Sequence, residues 1–538
     1  MFFKNLKFVI TPNRTKLIGI VILKIITMFF QYSLSYLLGF CISSVGKELY
    51  ESLFAVISYF CCLIITIVLG YFIDKIIVSE TNKSVLNIRN QLLDKLEKTD
   101  VRYMSKYKQG QLQYQCFNQV DELCNDSWIS LIKLIEIIMS IIIVFAYTIN
   151  INSTYLIVFF IVVPLCASIS LKVANICLKT AETKHKYNEN HQSILAETVK
   201  NISEIKKMSA EKYFEERLFD SLDLSTEGEN KHRKSILKYQ FVEKILVLIS
   251  YSIIFGLSIW LSYLEKIEIG YLITMLNFGG LIFLKVSEVN YLKDMYYNNK
   301  IIISNIKKIF DLPKIENGKT LISNSSGVVQ NIIELENVEI EYEGKINKLT
   351  YNIEIRYGEH IAIIGKSGGG KTTLFRILTR LMSCTEGRVA VLGISIKDWD
   401  VSELRKRVCY IPQTPFLFDG TVIDNILWGN ECIEQEYVID VLKRAQLEDI
   451  IYEKNGNFKK IIEGGKNLSG GEQQRIMLIR ALLRNADIYL FDESFSKLDT
   501  ETRTSMLNYV KTILRTKTIL FVTHENDMKE FVDRTIII

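Results

Sequence analysis

The sequence predicts a chain in two parts. The first is an α-helical polytopic membrane domain, with six transmembrane helices and long cytoplasmic extensions. The second is an α/β domain organised around a glycine-rich loop. Three observations predict this. Six stretches before residue 300 approach or exceed the ~20 apolar residues a helix needs to cross a bilayer. Beyond residue 330 the pattern changes to short β-rich runs (IIELENVEIEY, LTYNIEI, HIAIIG) and then helices. Inside that second part, Ile361–Leu374 reads IAIIGKSGGGKTTL, an apolar run that breaks into glycines and then a lysine and two threonines.

The bulk properties agree. A length of 538 residues allows two to four domains. The composition is 49% hydrophobic with a mean hydropathy of +0.17, and the apolar excess lies in the first 300 residues. A net charge of +5 is too small and too dispersed to imply a nucleic-acid partner. Ten cysteines occur without CxxC or Cys/His spacing, mostly in apolar runs, which points to reduced thiols and no cysteine metal site. The basic start, with Lys4, Lys7, Arg14 and Lys16, leads into a full-length span and not into a short core with a cleavage site.

The spans run about Leu17–Phe40, Leu53–Val78, Trp128–Thr148, Tyr155–Val173, Ile245–Leu264 and Tyr271–Tyr291. Burying six such runs in a water-soluble core would need an implausibly large dry interior. The basic N-terminus favours the cytoplasmic side. The long polar segments Ser79–Ser127 and Leu178–Lys244 then share that side, and the short loops Cys41–Ser52, Asn150–Thr154 and Glu265–Gly270 lie opposite. An even number of spans puts the C-terminal part in the cytoplasm of a cell whose plasma membrane holds the rest. In the polar segments, apolar residues recur at helical spacing, as in SVLNIRNQLLDKLEK, so the spans are read as continuing well past the membrane.

Few charges fall within the spans: Lys24, the i,i+3 pair Lys133 and Glu136, and the pair Lys285 and Glu288. A charge at mid-bilayer costs roughly 2.5–3.5 kcal/mol on insertion scales. These residues either line a polar path or pair with each other and snorkel towards the cytoplasm. Pro313, Asn317, Gly318 and the run SNSSG at Ser323–Gly327 mark a linker. The expected division is residues 1–310 for the membrane domain, 311–330 for the linker and 331–538 for the α/β domain.

Gly365–Thr372 fits G-x-x-x-x-G-K-[ST]. Gly365, Gly368, Gly369 and Gly370 let the backbone wrap a phosphate closely, and the N–H groups of the loop, with Lys366 and Ser367, point at it. The next helix begins there and turns its positive end to the same anion. Lys371 is placed to reach the β- and γ-phosphates, the Thr372 hydroxyl to sit on Mg²⁺, and Thr373 continues the binding loop. Asp487–Glu493, DIYLFDE, is an apolar strand ending in two carboxylates. Asp492 is placed to hold Mg²⁺ through water, and Glu493 to polarise an attacking water as a general base.

Between these motifs lies Leu468–Arg475, LSGGEQQR. In this order, Gly365–Thr372, LSGGEQQR and LFDE at Leu490–Glu493 resemble the nucleotide-binding domain of an ABC transporter. With the six spans ahead of them, they resemble the exporter branch, in which a half-transporter carries membrane and ATPase parts on one chain. The resemblance implies a P-loop ATPase, ATP and Mg²⁺ as cofactors, and further site residues. Tyr342 falls where the family stacks an aromatic ring on adenine, with a core strand tyrosine as the competing reading. Gln413 matches the glutamine that senses Mg²⁺, Ser496–Asp499 the D-loop, and His524 the switch histidine near the γ-phosphate. Glu463 resembles the acidic residue just before the signature that touches the partner's cytoplasmic helices.

In the family, Ser469, Gly470, Gly471 and Glu472 serve the nucleotide held by Lys371 of a second domain. The resemblance therefore implies dimerisation with a second copy or with a homologous half-transporter. Arg102–Leu112 and Glu197–Glu211 resemble the two intracellular coupling loops. Two departures stand out: Lys497 replaces the usual small D-loop residue, and the sequence stops at Ile538, so the nucleotide domain reads as C-terminally abbreviated. With about 16 residues before the first span, an N-terminal peptidase domain is not expected. The function implied is ATP-driven export, by alternating access, of a lipid, hydrophobic small molecule or peptide. The alternatives are a subunit of a heterodimeric exporter and an ATP-gated regulatory membrane protein.

Overall fold

In a computed structural model, residues 14–44, 49–104, 107, 109–319, 330–340, 349–366, 368–428, 433–444, 451–452, 458–523 and 530–538 are described. They form two units, one of Met1–Lys95 with Lys108–Asp311, the other of Leu96–Tyr107 with Leu312–Ile538.

The first unit is helical: α1 (Arg14–Ser43), α2 (Leu49–Glu97), α4 (Gln109–Cys116), α5 (Asn118–Ile151), α6 (Thr154–Lys200), α7 (Ile202–Lys207), α8 (Glu211–Tyr263) and α9 (Ile269–Phe310). The short α3 (Val101–Met104) belongs to the second unit. Helices α2, α6 and α8 are 49, 47 and 53 residues long. At 1.5 Å per residue each is over 70 Å, more than twice the ~30 Å hydrocarbon thickness. The polar periodicity of the long loops therefore belongs to helices that outrun the membrane, as predicted.

By length and composition, Lys16–Ser43, Leu49–Glu97, Leu112–Ile151 and Lys244–Tyr263 qualify as spans among the described residues, and Ile269–Lys285 is a shorter apolar helical stretch. The expected span Tyr155–Val173 falls inside α6. The apolar surface of α2 faces outward: Phe60, Ile64 and Ile67 are 57%, 59% and 64% exposed. A patch of that size would be an aggregation site in water and is at ease in hydrocarbon.

Helix α9 is the hub of the unit, packing on α1, α5, α6 and α8. Where it crosses α1, two glycines meet. A Cβ on Gly270 would lie 2.0 Å from the Gly39 carbonyl oxygen. Small residues allow such backbone approach where helices cross in a bilayer. Next to this crossing, Tyr32, Tyr147, Phe159 and Phe278 are packed in one apolar cluster from α1, α5, α6 and α9.

The second unit is α/β. Strand β1 (Asn331–Ile340) pairs antiparallel with β2 (Leu349–Arg356). Then come β3 (His360–Ile364), α10 (Lys371–Leu378), β4 (Glu386–Val391) and β5 (Ile394–Ser395). They are followed by α11 (Val401–Arg407), β6 (Val408–Ile411), β7 (Gly420–Thr421), α12 (Val422–Leu427), α13 (Gln435–Arg444) and β8 (Lys460–Ile461). The unit closes with α14 (Gly470–Leu482), β9 (Ile488–Asp492), α15 (Thr500–Ile513), β10 (Thr518–Val522) and β11 (Arg534–Ile537). Among the described residues one sheet is antiparallel, in the order β2-β1-β4-β5, a second runs β11-β3-β10-β9-β6 with every pairing parallel, and β7 and β8 form a short antiparallel pair. Strands β9 and β10 are buried at every residue, as their unbroken apolar runs require of a parallel sheet covered on both faces.

Leu96–Tyr107 precedes most of the membrane helices in sequence but packs as part of this second unit. Lys98 accepts from the Ile315 amide at 2.8 Å, and the Val101 amide donates to Leu381 O at 3.0 Å. The Asp100 carboxylate, 3% exposed, accepts from the amides of Arg102 and Ser383, both at 2.9 Å. After α2 the chain thus passes into the second unit, where Asp100 ties it to Ser383. Removing this acceptor takes the partner from two part-buried N–H groups, at about 0.5–1.5 kcal/mol each. Asp100→Ala is therefore expected to lower the thermal midpoint of the purified protein by several degrees, and Asp100→Asn, which keeps one acceptor, by less. Light-scattering and fluorescence melts in detergent check this.

Candidate nucleotide site

The loop from β3 to α10 is shaped by glycines where a side chain would be strained or crowded. Gly368 and Gly370 have φ of +80° and +94°, in the left-handed region that favours glycine. At Gly365 a Cβ would lie 2.2 Å from the Ile538 carbonyl oxygen, because β11 pairs with β3 alongside the loop. The Tyr351 hydroxyl donates to Gly370 O at 2.9 Å and holds the far end of the curl. Lys371 is folded into the loop, its Nζ donating to Gly365 O at 2.7 Å and Lys366 O at 3.3 Å. Thr373 is buried behind it at the start of α10.

Asp492 ends β9 on the same side of the sheet. Its carboxylate, 3% exposed, accepts from Thr372 Oγ1 at 3.2 Å and from the Tyr410 hydroxyl at 3.0 Å. The register explains the second bond. Tyr410 on β6 lies opposite Leu490 on β9, so its side chain shares a face with Leu490 and with Asp492 two residues on. Burial pushes the Asp492 carboxyl above the usual range, against the lowering effect of the two hydroxyls. Burial likewise pushes the Tyr410 phenol up, reinforced by the Asp492 charge. Glu493, the next residue, has φ +47°, uncommon for a side chain with a Cβ. Its amide donates to Val522 O at 3.1 Å, and its Oε2 accepts from Gln413 Nε2 at 2.6 Å.

The signature forms a second cluster. Ser469 caps α14: its hydroxyl accepts from the Glu472 amide at 3.2 Å, and Glu472 Oε2 accepts from the Ser469 amide at 2.7 Å. This reciprocal box follows from the S-x-x-E spacing. Burial raises the Glu472 carboxyl, but the Ser469 amide and hydroxyl and Lys459 draw it below its ordinary value. Gly470 and Gly471 open the helix under the D-loop, where a Cβ on Gly470 would lie 3.2 Å from Lys497 Cδ. The buried Gln474 fixes that loop by accepting from the Lys497 amide at 2.9 Å. Glu463 is ion-paired with Lys466 on the surface.

Sequence reading thus finds Lys371, Thr372, Gln413, Asp492 and Glu493 at the C-terminal edge of the parallel sheet, and Ser469–Glu472 on a capped helix start. Tyr342, Ser367 and His524 lie outside the described residues. Sequence reading misses Tyr351, Tyr410 and Gln474. Each sits in a strand or helix where an aromatic or amide reads as ordinary packing, and only the folded arrangement reveals the contact.

Known proteins place the chain. The family model described as "ABC transporter transmembrane region" matches residues 17–286, and that described as "ABC transporter" matches residues 349–496. The chain belongs to the ABC transporter family, as a multi-pass membrane protein with an ATP-binding domain of the ATPase type. It is 31% identical over 355 residues to a lactococcin-G-processing and transport ATP-binding protein of Lactococcus lactis, covering 64% of this chain and 49% of that one. It is 24% identical over 464 residues to an ATP-dependent lipid A-core flippase of Acinetobacter baylyi, covering 85% and 79%. The chain spans about half the length of the Lactococcus protein, and 54% of an ABC transporter B family member 6 of Dictyostelium discoideum. Its fold matches a bacterial Atm1-family ABC exporter with ATP bound, at a TM-score of 0.84 and 17% identity, over 98% of this chain and 93% of that one.

Because Asp492 is held in a setting that raises its carboxyl, the folded protein binds its proton more readily than the unfolded chain does. The charged form at neutral pH opposes folding, and that opposition fades as pH falls through the raised value. Asp492→Asn removes the charge, and the Thr372 hydroxyl can turn to accept from the new amide. The nucleotide-free variant is expected to melt above the wild type at pH 7 and to lose that advantage as the pH falls. Fluorescence melts over a pH series check both statements.

Proposed function

We propose that this chain is an ATP-driven exporter that works as a dimer in the plasma membrane by alternating access. One observation carries the reading: Glu493, its Gln413 partner, Lys371 and Asp492 sit together on a chain that also carries its own membrane unit. A regulatory protein that only binds nucleotide has no need of a carboxylate held by strained backbone beside the phosphate loop.

The roles follow from the chemistry. The loop amides of Gly365–Gly370 and the Lys371 ammonium hold phosphate oxygens. The Thr372 hydroxyl and the Asp492 carboxylate suit Mg²⁺, a hard cation that takes oxygen ligands. A buried carboxylate raised by desolvation is the group such a charge relieves, which is the fit expected of a metal site. Mg²⁺ bound there supplies charge neutralisation at the phosphates. Glu493 orients and deprotonates the attacking water, and Gln413 holds its carboxylate in place. Tyr342 stacks on the base, and His524 contacts the terminal phosphate. Ser469–Glu472 close over the nucleotide of a second copy, whose Lys371 holds it. Leu96–Tyr107 carries the movement from the nucleotide unit into α2.

A heterodimer with a homologous half-transporter is the second reading, favoured by Lys497, a charge where the family has a small residue. ATP hydrolysis by the purified chain alone, in liposomes, tests the first. Turnover is expected, and Glu493→Gln is expected to reduce it at least about 100-fold while leaving ATP binding intact. Binding without turnover in the wild-type chain would contradict the self-sufficient dimer.

A further inference from the structure

The membrane unit holds a charged network whose cations outnumber its anions. Glu136 on α5 is clamped by two lysines from other helices: Lys24 of α1 reaches Oε1 and Lys285 of α9 reaches Oε2, both at 2.6 Å. Lys285 also pairs with Glu288 at 3.1 Å, and Lys133 of α5 approaches Glu288 at 3.5 Å. Three lysines thus face two glutamates, one positive charge in excess within this cluster, with Lys133 also 5.1 Å over the Tyr291 ring.

The depth matters. Lys24, Glu136 and Lys285 lie 19, 15 and 16 residues from the short-loop ends of their helices at Ser43, Ile151 and Ile269. At 1.5 Å per residue that is about 22–29 Å, within the ~30 Å hydrocarbon layer and near its border on the side of the long extensions. Water cannot freely screen an excess charge there. The five side chains are 16–27% exposed, so the network is reachable and not sealed in packing.

A second observation points the same way. Tyr32 lies about two helical turns along α1 from Lys24 and is 1% exposed. Its hydroxyl lies beside Ser140 and close to Lys285, Glu136 and Glu288, yet finds no hydrogen-bond partner of good geometry. A buried hydroxyl donor beside a cluster that carries one excess positive charge is an arrangement an incoming anionic oxygen satisfies. The packed aromatic group of Tyr32, Tyr147 and Phe278 continues from it towards the short-loop side.

We infer that Lys24, Lys285 and Tyr32 form a binding site for the single anionic group, phosphate or carboxylate, of an amphiphile whose tail lies in the leaflet on the side of the long extensions. The site deepens the export reading above, on which its use as a cargo site rests; the binding itself does not depend on it. The excess lysine charge attracts the headgroup, Tyr32 donates to it, and Glu136 holds the two lysines apart in its absence. A zwitterionic headgroup of the same size brings its own cation into a site already rich in them and is rejected.

The test uses the full chain in detergent with two probes of one tail length, dodecyl phosphate and dodecylphosphocholine, and reads retained ligand by native mass spectrometry. Wild type is expected to hold the phosphate at least about tenfold more tightly than the phosphocholine. Lys24→Gln, which makes the charges equal, is expected to lose that preference, and Lys24→Arg to keep it. Glu288→Gln raises the excess and is expected to strengthen it, an outcome that no folding defect produces. Equal retention of both probes by wild type, or an unchanged preference in Lys24→Gln, overturns the inference.

A parallel arm in phosphatidylcholine liposomes separates the sources. Dodecyl phosphate that accelerates ATP turnover identifies the ligand as cargo, whereas phosphatidylglycerol retained without acceleration identifies a resident lipid. Absence of all turnover in that arm counts against the export reading and leaves the binding result standing.

Discussion

The bond on which the nucleotide site depends is the one between Thr372 and Asp492. It ties the helix that follows the phosphate loop to the end of a strand two places away in the sheet, across β10. The strand order β11-β3-β10-β9-β6 makes that possible, because it brings the ends of β3, β9 and β6 to one edge although their sequences are far apart. Ligands of open parallel sheets bind at such edges, beyond the carboxyl ends of the strands. The Tyr410 hydroxyl completes the hold on Asp492 from the third strand. The carboxylate is thus oriented by two hydroxyls and dried by its surroundings, which raises its proton affinity and makes a bound cation the natural partner of its charge.

Around this bond the backbone is held in sparsely populated conformations. Gly368 and Gly370 are left-handed by necessity, and Glu493 is left-handed despite its Cβ. Strain of this kind costs of order 1–3 kcal/mol per residue and survives only where the surroundings enforce it. At Glu493 the amide bonded to Val522 and the carboxylate bonded to Gln413 do so. The same economy appears in the membrane unit, where the Gly39–Gly270 crossing brings α1 and α9 close and so sets Lys24 near Lys285.

Much of this was legible in the sequence, and the reasons for the rest are physical. Gly365–Thr372, Ser469–Glu472 and Asp492–Glu493 are local signals: each does its chemistry through adjacent residues, so spacing reveals it. The long helices were legible because their apolar periodicity persists into the polar loops. Tyr410 and Tyr351 were not, since their hydroxyls matter only through strand register, and a strand tyrosine otherwise reads as core. Asp100 was hidden for a related reason: its partners are Arg102, two residues away, and Ser383, far along the chain. Within the spans, i,i+3 spacing suggested local pairs. Lys285 and Glu288 do pair, but Glu136 reaches across to Lys24 and Lys285 on other helices, a contact set by helix packing and not by spacing.

The central claim is that each ATP site is shared between two copies of this chain, with Lys371 from one and Ser469 from the other. The most direct measurement is complementation in liposomes. Lys371→Ala chains alone and Ser469→Arg chains alone each lack any intact site, whereas a mixed pair keeps one. Both pure preparations are expected to be silent in ATP hydrolysis, and an equimolar mixture, assembled together, to regain part of the wild-type rate. A mixture as silent as its components, or full activity in either variant alone, would contradict the shared site.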